Sequence, residues 1–315
     1  MPIRKLGSVI PYVHIEPIKI GPLALQPFGV LVALGVIIGY SLALRRARRL
    51  GVDVIQLRSF IGWILLCGFV FAHVLDSVFC HPGEVLARPW TLLALWNGLS
   101  SFGGFVGAVL GAVSWKYFEM REVHLLGEGF HFVRPVRRSK PVAILSYADV
   151  ILAVFPVAWI FGRSGCAVVH DHPGVRASAG SWLAVAYGPG PVDRFVGGVI
   201  ELRYGNEPRY DLGLLEMLFA IVLAVGFALT WRRGHASGWY VVAACIVYAP
   251  VRFALDFLRV EDTAGSDPRY GGFTPAQWAC GALLLFGIGL ACQLRARAAR
   301  AVAPTPASSG GVVSD

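Results

Sequence analysis

Charged side chains are scarce in this chain of 315 residues: Asp, Glu, Lys and Arg together make up 15% of it. Ordinary soluble domains carry about 25% charged residues. Hydrophobic residues make up 56%, and the mean hydropathy is +0.63. One hydrophobic anchor would not raise the average of the whole chain that far. The composition therefore excludes a soluble globular protein and predicts a membrane protein with several spans.

Closely spaced cysteine pairs are absent from the sequence, and no secretion signal is expected at its start. Its six cysteines show no C-x-x-C spacing, which argues against a disulfide scaffold and a structural zinc site. Residues 1–20 contain no continuous apolar core of a signal peptide, so we expect a mature amino terminus. The net charge of +9 does not indicate nucleic acid, because Lys and Arg at membrane edges set topology and contact anionic lipid.

Several apolar runs approach the roughly 20 residues that cross a bilayer. They lie at about 24–44, 59–79, 91–115, 142–162, 212–231, 237–256 and 273–293. We therefore predict an all-α polytopic membrane protein, with residues 1–300 forming one domain of seven transmembrane helices. Residues 163–211 mix Gly, Pro, Tyr and charge with short β-like stretches, which predicts a small extracytoplasmic head between helices four and five. Residues 301–315 are expected to form a disordered cytoplasmic tail.

Basic residues predict the orientation of these spans. Lys and Arg cluster after the first, third, fifth and seventh spans, at Arg45, Arg46, Arg48, Arg49, Arg58, Lys116, Arg121, Arg134, Arg137, Arg138, Lys140, Arg232, Arg233, Arg295, Arg297 and Arg300. The positive-inside rule assigns such loops to the cytoplasm. We expect the amino terminus and the head to lie outside, and the carboxyl terminus to lie in the cytoplasm.

Ionisable side chains within membrane spans cost roughly 2.5–3.5 kcal/mol each on insertion and mark functional sites. Most of them fall near the predicted outer ends: His73, Asp76, Arg163, Glu216, Arg252, Asp256 and Arg259, with Tyr248 on the same face as Arg252. This pattern predicts a polar chamber that opens outward and suits an anionic headgroup. Two other interpretations stay open: Arg163 and Arg259 as snorkelling anchors, and Arg252 in a structural ion pair. Asp149, nearer the cytoplasm, is expected to make a structural interhelical hydrogen bond.

A glycine-rich segment at 98–111 interrupts one long apolar run. More glycine occurs here than a plain span tolerates without loss of helix stability. The segment predicts either a re-entrant turn that lines a cavity or close helix packing through Gly103, Gly107 and Gly111. The pattern favours neither alternative.

A second motif, at 161–174, presents Cys166, His170, Asp171 and His172 just outside the membrane. Imidazole and carboxylate are zinc ligands. Neighbouring side chains of an extended segment alternate in direction, however, so at most His170 and His172 would share a face. We therefore predict no metal site and favour acid–base duty or simple surface polarity for these residues.

Several motifs occur in one order along the chain: residues 10–29, LSSFGG at 99–104, YAD at 147–149 leading to GRSG at 162–165, Glu216, YAPVRFALDFLR at 248–259 and Gln277-Trp278. Together they resemble the prolipoprotein diacylglyceryl transferase family, from about residue 9 to residue 293. The resemblance implies a bacterial inner-membrane enzyme without a cofactor. It would transfer the diacylglyceryl group of phosphatidylglycerol to the lipobox cysteine, in the signal peptide of a preprolipoprotein, and release glycerol 1-phosphate.

The resemblance also assigns roles to residues. A thiolate must attack a glycerol carbon while a phosphate ester leaves, so the site needs cations and a proton acceptor. Arg163 and Arg252 would supply the cations. The supporting or substrate-binding positions would be Tyr248, Glu216, Arg259, Gly103 and Gly104.

One departure from the family pattern concerns the proton acceptor. The family's His-Gly-Gly is Phe102-Gly103-Gly104 here, and the Asn that follows Gly-Arg-x-Gly is Cys166. If the protein is active, we expect the base to be His170, His172 or His73, oriented by Asp171 or Asp76. A noncatalytic paralogue that binds phospholipid or lipoprotein, and an anion transporter, are the alternatives.

Overall fold

The computed structural model describes residues 10–302, except for 14, 16, 21–22, 95–97, 126–129, 179–180, 188–194, 197–198, 201–207 and 261–268. Its helices are α1 (Pro27–Leu50), α2 (Val54–Cys80), α3 (Pro82–Ala87), α4 (Ser101–Tyr117), α5 (Leu145–Val169), α6 (Leu212–Thr230), α7 (Trp239–Leu255) and α8 (Pro275–Val302), with 3₁₀ turns at Pro89–Leu93 and Asp256–Leu258. The predicted tail lies outside the described residues from position 303 onward.

Within this described part, six helices are long and apolar enough to cross a membrane. They are α1, α2, α5, α6, α7 with its following turn, and α8. Large apolar side chains cover their outer faces: Ile37, Val222, Leu229 and Leu285 are each more than 60% exposed. Apolar faces of this extent suit contact with lipid. The fold is therefore that of a multi-pass membrane protein.

The third predicted span differs most from the structure. Helix α4 begins at Ser101 rather than near residue 91, and it has 17 residues. Pro89–Leu93 form a 3₁₀ turn instead. The hydroxyl of Ser100 accepts a hydrogen bond from the backbone N of Gly103 at 3.3 Å, so Ser100 caps α4. The seventh membrane crossing is not confirmed.

The glycines of α4 pack against α2. Gly103, Gly107 and Gly111 are all buried. A Cβ added to Gly103 would lie 2.6 Å from the carbonyl O of Phe71, and one added to Gly111 would lie 2.6 Å from that of Trp63. Contacts this short leave no room for a side chain, which is the reason for small residues at this spacing. Close helix packing is therefore the alternative that the structure supports.

Helix α5 is longer than the sequence indicates. The prediction ended it at residue 162, whereas it continues to Val169 and ends at His170, whose φ of 52° is left-handed. Arg163 and Cys166 thus lie within the helix, one turn apart. The predicted head starts inside α5, so its lower boundary at residue 163 is wrong, and the chain leaves the helix at His170.

The fold is mostly helical rather than all-α. Its strands are β1 (Ile10–Pro11), β2 (Ile18–Ile20), β3 (Leu23–Leu25), β4 (Phe118–Leu125), β5 (Phe130–Arg137), β6 (Pro173–Arg176), β7 (Ala184–Ala186), β8 (Phe195–Val196), β9 (Val199–Ile200) and β10 (Pro208–Asp211). Four strands form one sheet in the order β1-β7-β10-β6, with β1 parallel to β7. The amino-terminal strand therefore lies on the same side of the molecule as the segment between α5 and α6. Strands β4 and β5 form a hairpin after α4.

At the other end of the helices, Asp149 joins α5 to α7. Its Oδ1 accepts hydrogen bonds from the backbone N of Tyr240 at 2.7 Å and of Val241 at 3.2 Å, so it caps the start of α7. The expected interhelical hydrogen bond of Asp149 is confirmed. Arg46 of α1 lies in the same region, with its guanidinium over the rings of Trp231 at 4.7 Å and Tyr240 at 4.5 Å.

Candidate active site

Glu216 is the centre of a buried ionic cluster at the end of the helices that adjoins the four-stranded sheet. It lies one turn into α6 and is 3% exposed. Its Oε1 accepts hydrogen bonds from the Tyr248 hydroxyl at 2.6 Å and from Nε1 of Trp159 at 3.2 Å. Its Oε2 lies 2.9 Å from Nη2 of Arg163 and 3.7 Å from Nε of Arg252. One carboxylate therefore joins α5, α6 and α7.

Helical spacing explains why these side chains meet. Trp159, Arg163 and Cys166 follow at steps of four and three on α5, and Tyr248 and Arg252 are four apart on α7. Residues at such steps share one helix face. The sequence places both faces at the same depth, and the packing of α5 and α7 on α6 turns both toward Glu216.

Asp256 fixes the second arginine. It is fully buried, and its Oδ1 accepts hydrogen bonds from Nη1 of Arg252 at 2.6 Å and from Nε of Arg259 at 2.7 Å. The hydroxyl of Thr274, just before α8, donates to the other oxygen. Residue Arg259 also forms a β-bridge with Gly174. Asp256 therefore holds the guanidinium of Arg252 in place and ties it to the sheet.

Arg163 is buried, with 4% of its surface exposed. Its guanidinium lies over the ring of Trp159 at 4.6 Å, and its Nη1 is 3.6 Å from Sγ of Cys166. Its Nε has no hydrogen-bond partner among the described residues. Two guanidinium groups from separate helices thus meet at one carboxylate, and one of them keeps an N–H for another acceptor. This arrangement can bind a phosphate oxygen through charge-assisted hydrogen bonds.

Beside Arg163, the chain folds back on the end of α5. Sγ of Cys166, a carboxylate oxygen of Asp171 and a ring nitrogen of His172 all lie within 4.8 Å of one another. Nδ1 of His172 is 2.5 Å from Oδ1 of Asp171. Sequence reasoning did not assign Cys166 to the site, because it ended α5 too early. The step of three from Arg163 to Cys166 would have shown it, had the helix been extended.

His170 faces away from this group. Its ring stacks on Tyr12 at 4.2 Å, its Nδ1 is 2.7 Å from Oδ2 of Asp211, and its Nε2 is 3.2 Å from the carbonyl O of Val13. Asp211 also accepts a hydrogen bond from the Tyr187 hydroxyl at 3.0 Å and caps α6. His170 and His172 therefore have different partners, Asp211 and Asp171, with the left-handed residue His170 at the end of α5.

His73 lies on the α2 side and is 1% exposed. Its Nε2 is 3.1 Å from the carbonyl O of Thr91, and its Nδ1 is 3.3 Å from that of Gly98. These contacts attach the connection between α2 and α4 to α2. Asp76 lies at the same connection, because a Cβ added to Gly98 would clash with the Asp76 carboxylate.

Helix α4 reaches the ionic cluster by an aromatic contact. The ring of Phe105 lies 5.3 Å from that of Trp159, which donates to Glu216. Gly103 and Gly104 pack against α2, and Phe102 is 44% exposed. The structure therefore brings Arg163, Arg252, Tyr248, Glu216 and Arg259 into one network, with Asp171 and His172 next to it. It places the predicted residues His73, Gly103 and Gly104 at the α2–α4 contact.

The fold and the site define a multi-pass membrane protein in which two arginines meet a buried carboxylate at one end of the helices. Comparison with known proteins gives the family. The sequence model of the prolipoprotein diacylglyceryl transferase family matches residues 16–293. The chain belongs to this family of transferases, as its motifs predict.

Individual relatives agree along most of the chain. The phosphatidylglycerol–prolipoprotein diacylglyceryl transferase of Chromohalobacter salexigens is 25% identical over 285 residues, which cover 90% of this chain and 93% of the relative. That of Nitratidesulfovibrio vulgaris is 28% identical over 304 residues, covering 92% and 97%. That of Thermus thermophilus is 38% identical over 105 residues, covering 33% and 36%.

Proposed function

We propose that this protein transfers the diacylglyceryl group of phosphatidylglycerol to the lipobox cysteine of preprolipoproteins, with release of glycerol 1-phosphate. The observation that carries the proposal is the meeting of Arg163 and Arg252 at Glu216, inside a member of this family. A phosphodiester that becomes a leaving group gains negative charge, and preorganised guanidinium groups in a site with little water stabilise that charge. The names of the relatives support phosphatidylglycerol and prolipoprotein as the substrates.

In the reaction, the phosphate of phosphatidylglycerol binds between the two arginines. Tyr248 and Asp256 keep Glu216 and Arg252 oriented, so the guanidinium groups need not reorganise as the C–O bond breaks. The cysteine sulfur forms a bond to the glycerol carbon, and the phosphate oxygen departs with the electron pair of the broken bond.

The group that activates the thiol is the Asp171–His172 pair. Of the three histidines proposed from the sequence, His172 is the one linked to Arg163, through Cys166. The described contacts of His170 include Asp211 and the carbonyl O of Val13, and those of His73 include two backbone carbonyls and the hydroxyl of Ser77. Nδ1 of His172 lies 2.5 Å from Oδ1 of Asp171, and such a pair is suited to accept the proton of a thiol. It is also suited to hold a group that replaces this proton on the sulfur.

Complementation tests the function. The chain is expressed in cells depleted of their own diacylglyceryl transferase, and growth and lipid-modified prolipoprotein are measured. We expect both to be restored by the wild type and by Arg295→Ala, an exposed arginine of α8, but not by Arg252→Ala. A wild type that inserts in the membrane and modifies no prolipoprotein would instead identify a noncatalytic lipid- or lipoprotein-binding relative. The anion transporter is not favoured, because the ionic cluster lies at one end of the helices.

The topology that suits this function has the site outside an inner membrane, with the amino terminus outside and the carboxyl terminus in the cytoplasm. The pairing of β1 with β7 supports a topology in which the amino terminus and the head lie on the same side of the membrane. Helix α4 would be the seventh crossing, since its 17 residues span about 26 Å against a hydrocarbon core of roughly 30 Å. Cysteines introduced at positions 180 and 265 should react with an impermeant reagent added outside, and those at 139 and 309 should not. The reverse pattern would overturn the orientation.

A further inference from the structure

The sequence predicts Asp171 and His172 as acid–base candidates and predicts no metal site there, whereas the structure groups both residues with Cys166. Their ligand atoms are a thiol sulfur, a carboxylate oxygen and an imidazole nitrogen, all within 4.8 Å of one another. From this geometry we propose that the three residues bind one Zn²⁺ ion and leave its fourth position open for the thiol of the substrate cysteine.

The donor set and the spacing fit zinc. Zinc takes sulfur, nitrogen and oxygen ligands in a tetrahedron, with bond lengths of about 2.0–2.3 Å that set ligand atoms roughly 3.2–3.8 Å apart. Asp171 is exposed and His172 half-buried, so rotation of these two side chains can bring their atoms to that spacing around Sγ of Cys166. Three protein ligands with one open position are typical of a catalytic zinc site rather than a structural one.

A single reversal of the chain after α5 brings the three ligands together. Cys166 lies in the last turn of α5, and the left-handed conformation of His170 at φ 52° reverses the chain after the helix. Asp171 and His172 therefore return toward Cys166. His170 itself is held by Asp211 on the opposite side of the turn, which fixes the position from which the two ligands extend.

The charges around the site also balance. A thiolate and a carboxylate together neutralise the two charges of Zn²⁺, and the imidazole binds as a neutral ligand. Nη1 of Arg163 lies 3.6 Å from Sγ of Cys166, where it can donate to the metal-bound thiolate. Its own charge is paired with Glu216 at 2.9 Å. Such donors to a ligand atom orient it and tune the metal.

The site explains how a thiolate can form when the family's histidine is Phe102. This step rests on the proposed function, whereas binding of the metal does not. The substrate thiol takes the open position of the zinc, loses its proton to water and becomes a bound thiolate. The sulfur electron pair then forms the S–C bond to glycerol, the C–O bond to phosphate breaks, and glycerol 1-phosphate leaves beside Arg163. No oxidant or reductant is needed.

Cobalt tests the site without reference to activity. The full-length protein is purified in detergent, stripped with a chelator and titrated with Co²⁺, which gives thiolate-to-metal absorption when a cysteine binds it. We expect one equivalent of Co²⁺ with that absorption in the wild type and in Cys292→Ser, whose thiol is exposed on α8. Cys166→Ser and His172→Ala should weaken binding by about 100-fold or more.

The control for misfolding is Cys166→Asn, which places the family's residue at this position and should fold but not bind cobalt through sulfur. Absence of a thiolate band in the wild type, or an unchanged band in Cys166→Ser, would overturn the site.

A transfer assay separates the site from the reaction. Stripping the wild type should lower the rate of diacylglyceryl transfer at least tenfold, and Zn²⁺ should restore it. Full transfer by the metal-free protein would overturn the role of zinc in the reaction. Absence of transfer from every preparation, with the cobalt spectrum intact, would overturn the proposed function and leave the metal site standing.

Discussion

Two clusters of buried charge lie at opposite ends of α5, α6 and α7, and they are built differently. In the proposed topology one of them lies toward the cytoplasm and is called the inner cluster, and it consists of Arg46, Asp149, Trp231 and Tyr240. The outer cluster consists of Arg163, Glu216, Arg252, Asp256 and Arg259. In the inner cluster the carboxylate binds two backbone N–H groups. In the outer cluster the carboxylates bind mainly side chains, among them all three arginines.

Burial alone does not separate the two clusters. Arg46 and Arg163 are each 4% exposed, and Nε of each lacks a partner within the described part of the chain. Two aromatic rings cover the guanidinium of Arg46, whereas Arg163 is stacked on the ring of Trp159 and contacts Cys166, which lies beside the exposed Asp171. The comparison teaches that a buried charge whose partners are backbone groups and rings is structural, and that one whose partners are exchangeable side chains can accept a substrate.

The largest expected effect comes from Arg252→Ala in the outer cluster. We expect the rate of transfer to fall by about 1,000-fold, because the loss of a preorganised donor to developing charge costs roughly 100- to 1,000-fold and leaves Asp256 and Glu216 without their shared cation. Arg252→Lys should recover little, since a point charge does not reproduce a planar fork. The measurement is the initial rate of lipid transfer per inserted protein, with Arg295→Ala as the surface control. A rate near that of the wild type would remove Arg252 from the mechanism.

Arg163→Ala should give the next largest loss, about 100-fold. Tyr248 and Trp159 still hold Glu216 in this variant, so Arg252 keeps part of its orientation. The same assay measures it, and KM for phosphatidylglycerol should rise together with the fall in kcat. If Arg163→Ala keeps the wild-type rate of transfer, Arg163 acts only as a membrane anchor.

Histidine substitutions sharpen the assignment of the thiol-activating group. His172→Ala should lower transfer by about 100-fold, while His73→Gln and His170→Gln should mainly lower thermal stability, since their contacts hold the α2–α4 connection and the sheet. Transfer rates and melting temperatures of the three variants are compared. If all three variants keep the full rate of transfer, the hypothesis that one of these histidines activates the thiol is wrong. If only Phe102→His creates transfer, the chain is a degenerate paralogue that binds lipid.

The smallest effect on catalysis is expected in the inner cluster. Asp149→Ala leaves two buried N–H groups of α7 without their acceptor, which should lower the free energy of unfolding by about 1–3 kcal/mol. Transfer per folded protein should not change. Asp149→Asn keeps a side-chain oxygen and is the matched control, with thermal melting in detergent as the measurement. A selective loss of kcat in Asp149→Ala at unchanged stability would contradict the structural role.

Helical periodicity predicted most of the outer cluster. The steps of four and three between Tyr248, Arg252, Asp256 and Arg259 follow from the sequence alone, and their depth matches that of Glu216. Such a pattern needs no knowledge of tertiary contacts, because one helix face is set by local spacing.

The end of α5 could not be predicted in the same way. Gly162 and Gly165 are typical of a helix end. Instead, a Cβ added to Gly165 would lie 2.8 Å from the ring of Phe28 in α1, and one added to Gly213 in α6 would lie 2.9 Å from Cβ of Cys166. Tertiary packing therefore continues the helix past its local stop signal. The place of Cys166 beside Asp171 and His172 depends on that extension, so this part of the group could not be predicted from the sequence.

The four-stranded sheet could not be predicted by local reasoning for a related cause. Its parallel pair joins Ile10 to Val185, which are far apart in sequence. Strand β7 lies among the short β-like stretches expected within residues 163–211, but nothing in its composition indicates a partner near the amino terminus. Residues 188–194 and 201–207 of the predicted head lie outside the described residues.

The most direct test of the account is a transfer assay with purified components. Wild-type protein, vesicles that contain phosphatidylglycerol and a lipobox peptide are mixed, and the lipidated peptide and glycerol 1-phosphate are quantified. The account predicts equal amounts of the two products from the wild type and from Asp149→Asn, and loss of both in Arg252→Ala. Binding of phosphatidylglycerol by the wild type without either product, or equal product from Arg252→Ala, would contradict it.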